Sequence, residues 1–273
     1  MDCVRDLLRA SPLPRLEAQM LLQDVLGVSR AWLVAHDTDP LASEAAQRFL
    51  HLQEQRLRGR PMAYLLGRRE FFGHVFNVTP QVLIPRPETE LLVETAVAAL
   101  SSRQAGRPRM LDLVTGSGAI AISVALARPD AMVAATDLSA EALRVAAGNA
   151  ASLGAQVEFL RGNWYDALDG QAPFDLIVSN PPYIRAGDPH LAQGDLRFEP
   201  SEALTDGADG LSALRAIVQG AGSWLAPGGQ LWVEHGYDQA EAVRGLLRGA
   251  GFARVQSLPD LAGIPRISGG TYN

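Results

Sequence analysis

Leu111-Asp112-Leu113-Val114-Thr115-Gly116-Ser117-Gly118-Ala119-Ile120-Ala121 reads as a strand running into a tight glycine turn and then into a helix. Gly116 and Gly118 can take positive φ and carry no Cβ, so the turn lets backbone approach a ligand while the first N–H groups of the helix face the same space. A turn of this kind also serves simply to pack a helix on a sheet. The pattern around it shows which fold it belongs to. Candidate strands at 110–114, 131–136, 157–160, 174–178 and 230–234 alternate with candidate helices at about 118–128, 139–152, 211–225 and 238–249. Such alternation specifies a parallel sheet with helices on both faces. Two tail segments, 253–257 and 266–272, add further strands. In open α/β sheets ligands bind beyond the carboxyl ends of the strands, where the glycine turn lies.

Upstream, the pattern is helical. Leu16, Met20, Leu21, Val25 and Leu26 recur at helical spacing before Gly27, and Ala45, Phe49, Leu52 and Leu57 do so before Gly59-Arg60-Pro61. Residues 70–78 alternate as a strand, and Thr79-Pro80 turns the chain towards a second strand at 81–84, a β-hairpin closed off by Pro85-Arg86-Pro87. The organisation is then a small all-α domain over 1–69, a hairpin linker over 70–87, and an α/β domain over 88–273 that starts with an amphipathic helix at 88–100.

Composition narrows the chemistry. At 273 residues and 47% hydrophobic the chain has the makeup of an ordinary globular protein. No apolar run is long enough for a membrane span, and Met1-Asp2-Cys3-Val4-Arg5 does not start a signal peptide, which points to the cytoplasm. A lone Cys3 cannot form an internal disulfide, and the five histidines show no metal-ligand spacing. Every basic residue is Arg. Schiff-base chemistry, pyridoxal phosphate attachment and the phosphate loop of NTPases all need the lysine this chain lacks. Residues 1–72 hold ten Arg against nine acids, which leaves the rest at about −7 of the formal −6. A surface that grips a nucleic-acid backbone needs a basic excess. The local exception is 48–69, with six Arg and only Glu54: a solvated helix face, or a patch for RNA or an acidic partner.

Gly116-Ser117-Gly118-Ala119-Ile120-Ala121 fits the dinucleotide fingerprint G-x-G-x-x-A, and Asp137 lies where a ribose-binding acid belongs. An NAD-dependent oxidoreductase is therefore one reading. S-adenosylmethionine is favoured by Asp112, a carboxylate ahead of the glycines that suits an ammonium or sulfonium and repels a pyrophosphate. Asp137, ending the second strand, can accept from both ribose hydroxyls. Asn163 can read an adenine edge, with Trp164 against its face or in the core.

Asn180-Pro181-Pro182-Tyr183 follows the apolar run 174–178. Two prolines remove two backbone donors, so the Pro181 carbonyl and the Asn180 side-chain oxygen can converge as acceptors for the two hydrogens of a planar NH2 group lying against Tyr183. A carboxamide and an exocyclic base amine fit equally well. A plain proline turn is the competing reading.

At these residues the chain resembles the bacterial release factor glutamine methyltransferases, the HemK or PrmC family. The likeness runs through Glu17-Ala18-Gln19-Met20-Leu21-Leu22, Arg60-Pro61-Met62-Ala63-Tyr64-Leu65-Leu66-Gly67, Phe71-Phe72-Gly73 and, most specifically, Ile84-Pro85-Arg86-Pro87-Glu88-Thr89-Glu90. It continues through Thr115-Gly116-Ser117-Gly118, Asn180-Pro181-Pro182-Tyr183-Ile184 and Phe198-Glu199-Pro200. The resemblance implies a Rossmann-like methyltransferase fold, with a seven-stranded sheet whose last strand is antiparallel, preceded by a helical domain that engages the release factor. It implies N5-methylation of the glutamine in the Gly-Gly-Gln loop of class I release factors, with S-adenosylmethionine as donor and no stable nucleic-acid or membrane partner. Thr115, Gly116, Ser117 and Gly118 are then the cofactor loop, together with Asp112, Asp137, Asn163, Trp164 and Asn180. Asn180, Pro181, Pro182 and Tyr183 hold the substrate amide, with Asn180, Pro181 and Tyr183 catalytic and Arg86 at the substrate mouth. Glu88, Glu90 and Glu199 are open between mouth and scaffold. Two positions depart from the family: Val114, where Gly is common, still reads as strand, and Asn163 replaces an acid. A DNA adenine N6-methyltransferase carries the same tetrad, and a non-catalytic binding module is the remaining alternative.

Overall fold

Residues 3–102 and 106–273 are described by a computed structural model. Helices α1 (Val4–Ala10), α2 (Arg15–Leu26), α3 (Arg30–Ala35), α4 (Ser43–Leu57) and α5 (Met62–Leu66) make one compact unit that ends at Arg68. Gly27 stops α2 in the left-handed conformation at φ 66°, as the sequence suggests. The buried stripe lies slightly off the expected one. Val4, Leu21, Leu22, Leu33 and Phe49 form the core, whereas Leu16 and Leu57 are 60% and 54% exposed because Ala18 and Ala46 take the inward positions. The arginines of 48–69 are largely committed within this unit. Arg56 pairs with Glu17, Arg58 with Glu54, Arg48 and Arg68 with Asp24, and Arg60 donates to Gln55. Three carboxylates thus partner four of the six arginines of the stretch.

β1 (Arg68–Phe71) and β2 (His74–Asn77) form the hairpin, which is tighter than the sequence suggests. What reads as one strand over 70–78 is two, folded at Phe72 and Gly73, both at positive φ (50° and 75°), the conformation a two-residue turn needs to match strand twist. Gly73 supplied the cue. Thr79-Pro80 does turn the chain, with the Val82 N–H on the Thr79 carbonyl, but 81–84 is irregular and forms no strand.

After α6 (Glu90–Ser101) the second unit runs β3 (Arg109–Leu113), α7 (Ala119–Ala127), β4 (Met132–Asp137), α8 (Ala140–Leu153), β5 (Val157–Arg161), β6 (Phe174–Ser179), the single turn α9 (Ser201–Leu204), α10 (Ser212–Ala221), β7 (Leu225–Glu234), α11 (Ala240–Gly249), β8 (Phe252–Pro259) and β9 (Pro265–Tyr272). The sheet order is β5-β4-β3-β6-β7-β9-β8, with β9 antiparallel to both neighbours. Side chains alternate across it. Met110 joins a core with α6 and α7 on one face, and Leu111 and Leu113 join another with α10 and α11. Leu176 and Val178 keep this alternation, but a register shift after Phe174 turns that ring to the opposite face.

The chain builds outward from β3 through β4 to β5, then returns to lay β6 on the other side of β3. That reversal opens a crevice at the carboxyl ends of β3 and β6, between the glycine turn and the Asn180 tetrad. The Ser179 hydroxyl donates to the Leu113 carbonyl at 2.7 Å and pins the two strand ends together.

Candidate active site

β3 ends at Leu113, one residue earlier than the sequence suggests. Val114 lies in the left-handed region at φ 62°, not in a strand. A β-branched residue there costs about 1–3 kcal/mol, which packing of the Val114 side chain against the second core offsets. The turn that imposes this is tightly held. The Thr115 N–H donates to the Thr136 carbonyl at 3.0 Å, the Gly116 N–H to Asp137 Oδ2 at 2.9 Å, and the Ser117 carbonyl accepts from Asn149 Nδ2 at 2.9 Å. Asn149 is buried in α8 and also clasps β2, exchanging hydrogen bonds with the backbone of Asn77. The two glycines differ in purpose. A Cβ on Gly116 would meet nothing within 4 Å, whereas one on Gly118 would sit 3.1 Å from the Ala146 Cβ. Gly116 therefore borders open space, and Gly118 lets α7 pack on α8.

Three cavities line the crevice. The first is walled by Thr115, Gly116, Ser117, Asp137 and Asn180, with Thr89 and Arg86 from the linker side. A second shares Val114, Asp137 and Glu202 with it and is completed by Asn163, Trp164 and Pro182. The third lies on the other side of Asn180, with Pro181, Tyr183 and Arg86. Asn180 thus stands in the wall common to the first and third cavities. Its Nδ2 donates to Thr89 Oγ1 at 3.1 Å, and Oδ1 has no hydrogen-bond partner among the described residues. Asp112 and Gly118 are on none of the three walls.

Asp112 lies behind the turn, with Oδ2 accepting from Thr115 Oγ1 at 2.6 Å, and burial pushes its carboxyl up to about 7. Burial also raises Asp137, opposed by the N–H groups of Ser139 and Gly116. Each Asp137 oxygen already accepts a backbone hydrogen, so only its remaining lone pairs can meet a diol. Trp164 packs on the second core and also lines the second cavity. Among the described residues that cavity is bordered by Asp137, Glu141, Glu202 and Asp206 and by no arginine. A diphosphate would meet four carboxylates there, whereas a ligand of net positive charge with a flat neutral base matches the wall. The residues fit S-adenosylmethionine better than a dinucleotide.

Arg86 reaches the first and third cavities, but its guanidinium is engaged by the carboxylate of buried Glu199, which also accepts from the Ile84 N–H at 3.0 Å. Glu199 is therefore a scaffold acid that ties the linker to the loop before α9. Glu90 is one too, accepting from the Phe72 N–H at 2.9 Å at the hairpin turn. Glu88 borders a separate surface cavity with Asp260 and Leu261. Sequence reasoning passed over Thr89 and Glu234. Thr89 stood within a stretch quoted for its family likeness, and Glu234 is an acid ending the apolar buried run 231–233 of β7, a signal in itself. Among the described residues no cluster of His, Cys, Asp and Glu is placed to hold a metal, and no helix is long and apolar enough to cross a membrane.

Comparison with known proteins agrees with this geometry. Residues 2–67 match the PrmC N-terminal domain, and 87–196 match the methyltransferase small domain. A release factor glutamine methyltransferase of Bordetella pertussis is 64% identical over 99% of both chains. Those of Burkholderia pseudomallei and Salmonella typhimurium are 56% and 44% identical, over 97% of this chain and 94% and 95% of theirs. Among solved structures, a T. thermophilus 16S rRNA N2 G1207 methyltransferase in complex with AdoMet and guanosine aligns with a TM-score of 0.56 at 21% identity, over 76% of this chain and 50% of that one. A Pyrococcus furiosus methyltransferase gives 0.54 at 18%, over 81% and 98%. These two likenesses are of fold alone, but near-full-length identity to the curated relatives goes further: the chain belongs to the release factor glutamine methyltransferase family.

Proposed function

We propose that this chain transfers a methyl group from S-adenosylmethionine to the side-chain amide nitrogen of the glutamine in the Gly-Gly-Gln loop of class I release factors. The observation that carries the reading is Asn180, set in the wall between two cavities with its NH2 held by Thr89 and its oxygen without a hydrogen-bond partner among the described residues. The first and second cavities take the cofactor, with Gly116 and Ser117 along one side, Asp137 towards the ribose, and Asn163 and Trp164 beside the adenine. The third takes the glutamine side chain. When bound, S-adenosylmethionine supplies an electrophilic methyl on a sulfonium.

An amide nitrogen is a poor nucleophile because its lone pair is delocalised, so the chain's own groups must favour the charge it develops. Asn180 Oδ1 and the Pro181 carbonyl accept its two hydrogens and bind more tightly as those hydrogens become more acidic. Tyr183, half-buried and hydrogen-bonded to Glu234, offers its ring as the wall of the third cavity. Arg86 shapes the mouth through its pairing with Glu199 instead of offering a free cation.

Asn180→Ala is the direct test. It should leave S-adenosylmethionine affinity nearly unchanged by calorimetry while kcat falls by roughly 10²- to 10³-fold. An unchanged kcat with only a raised KM would remove Asn180 from the transition state.

A further inference from the structure

The Asn180 tetrad cannot hold itself in place. Pro181 and Pro182 supply no N–H, so the stretch has no run of backbone donors with which to pair onto a neighbour, and groups from elsewhere must fix it. Asn180 Nδ2 donates to Thr89 Oγ1, and the Tyr183 hydroxyl donates to Glu234 Oε1 at 3.2 Å. The backbone of the tetrad is gripped from a third place. Gln239, half-buried in the turn between β7 and α11, donates through Nε2 to the Tyr183 carbonyl at 3.0 Å and to the Gly210 carbonyl at 3.1 Å. Its Oε1 accepts from the Gly236 N–H at 2.8 Å. An amide nitrogen carries two hydrogens, and both are engaged. The partners also fix the orientation of this amide, because the reversed one would set its oxygen against two carbonyls and its hydrogens against an N–H.

The Gly210 carbonyl belongs to the loop between α9 and α10, and that loop walls the second cavity through Thr205, Asp206 and Ser212. Asp206 gathers the loop by accepting from the N–H groups of Ala208, Gly210 and Ser212. The chain leaving the tetrad runs beside it, with the Ile184 N–H on the Leu204 carbonyl at 3.0 Å and the Ala186 N–H on the Ala208 carbonyl at 2.8 Å. Gly210 makes the close approach possible. It stands at φ 82°, and a Cβ there would lie 2.7 Å from the Tyr183 carbonyl oxygen and 3.0 Å from Gln239 Nε2. One side-chain amide therefore joins the tetrad, the loop along the second cavity and the start of α11.

We propose that Gln239 is a positioning residue whose amide sets the tetrad and the wall of the second cavity as one unit, so that the acceptors for the substrate amide and the bound cofactor stay in register. Gln239 lines none of the three cavities, so it acts through Tyr183 and Gly210 and not by contact with either ligand. Methyl transfer needs its reacting atoms in line, and a misplacement of about 1 Å is enough to cost about 100-fold in rate. The position calls for an amide. A glutamate of the same shape would set a carboxylate against two carbonyl oxygens, and an apolar side chain would leave both carbonyls without this donor.

The inference rests on the reading of the first two cavities as the cofactor's and of the tetrad as the substrate's clamp, and the test separates it from that reading. Full-length wild type, Gln239→Met, Gln239→Glu and Gly210→Ala would be compared well below their melting temperatures. Calorimetric titration would give S-adenosylmethionine affinity and the fraction of folded molecules, and steady-state methylation of a release factor would give kcat per folded molecule. Gln239→Met should lose roughly 10- to 100-fold in kcat and roughly 3- to 10-fold in S-adenosylmethionine affinity, with KM for the release factor nearly unchanged. Gln239→Glu, the closer match in shape, should lose more of both, an order that side-chain packing alone would reverse. A lower melting temperature with wild-type kcat and affinity per folded molecule would overturn the inference. Loss of kcat with unchanged affinity, or of affinity with unchanged kcat, would also overturn it, since one junction sets both walls; so would a Gln239→Glu variant at least as active as Gln239→Met. If the Gln239 variants do not fold, Gly210→Ala, which presses on the same junction from the loop side, should show the paired loss, and wild-type values there would overturn the inference. A wild-type protein that methylates no release factor would instead overturn the functional reading itself.

Discussion

Asp112 shows how the site stores instability. Its carboxyl is buried behind the glycine turn with one hydroxyl partner, and burial raises it from an ordinary 3.8 to about 7. The native state therefore holds this proton more tightly than the unfolded chain does, so stability is lost as pH rises from about 4 to about 7. Asp112→Asn keeps an acceptor for Thr115 and removes the buried charge. It should raise the melting temperature at pH values above 7, with the gain vanishing towards pH 4; a variant less stable than wild type above neutrality would contradict this. Legibility at the residue scale followed distance along the chain. The Asn180 tetrad could be read because its acceptors and ring are consecutive residues. Thr89 is 91 residues from Asn180 and Glu234 is 51 from Tyr183, so no local pattern ties them to it.

Among elements, the β3-turn-α7 unit was the most legible, because its alternation, glycines and apolar helix all agree. Its fine structure was not. Val114 favours a strand by intrinsic preference, but the bonds from Thr115 to β4 and from Gly116 to Asp137 force the chain to turn one residue early. The hairpin was misplaced for a similar reason: alternation across Phe71-Phe72-Gly73 hides a turn that needs two residues at positive φ. The two glycines of the cofactor turn make a paired prediction. An alanine at either one adds about 1–2 kcal/mol of left-handed backbone cost. Gly116→Ala should stop there in stability but weaken S-adenosylmethionine binding strongly, since its methyl enters the cavity. Gly118→Ala should unfold at distinctly lower denaturant, because its methyl must fit 3.1 Å from the Ala146 Cβ and 2.7 Å from the Ile122 Cδ1. Equal midpoints for the two variants would show that the α7 packing argument is wrong.

On the scale of the whole molecule, the chain divides into two units that each bury their own core, one ending at Arg68 and one starting at Arg69. All residues that wall the three cavities belong to the second. We propose that this unit carries cofactor binding and chemistry and that the helical one recognises the release factor. A chain of residues 69–273 should then bind S-adenosylmethionine with unchanged affinity while its kcat/KM for an intact release factor drops by more than about tenfold, a loss of over 1.4 kcal/mol; undiminished kcat/KM would free the helical unit of that role. The α/β alternation made this architecture readable, and the family likeness implied an antiparallel last strand, but the insertion of β9 between β7 and β8 was not legible, since strand order leaves no periodic trace. The central claim is the identity of the acceptor atom. Labelled S-adenosylmethionine, incubated with the full-length protein and a release factor whose Gly-Gly-Gln glutamine is either intact or replaced, should place label only on the intact factor, at that glutamine's side-chain nitrogen. Label on the replaced factor, or on adenine of added DNA instead, would contradict the account.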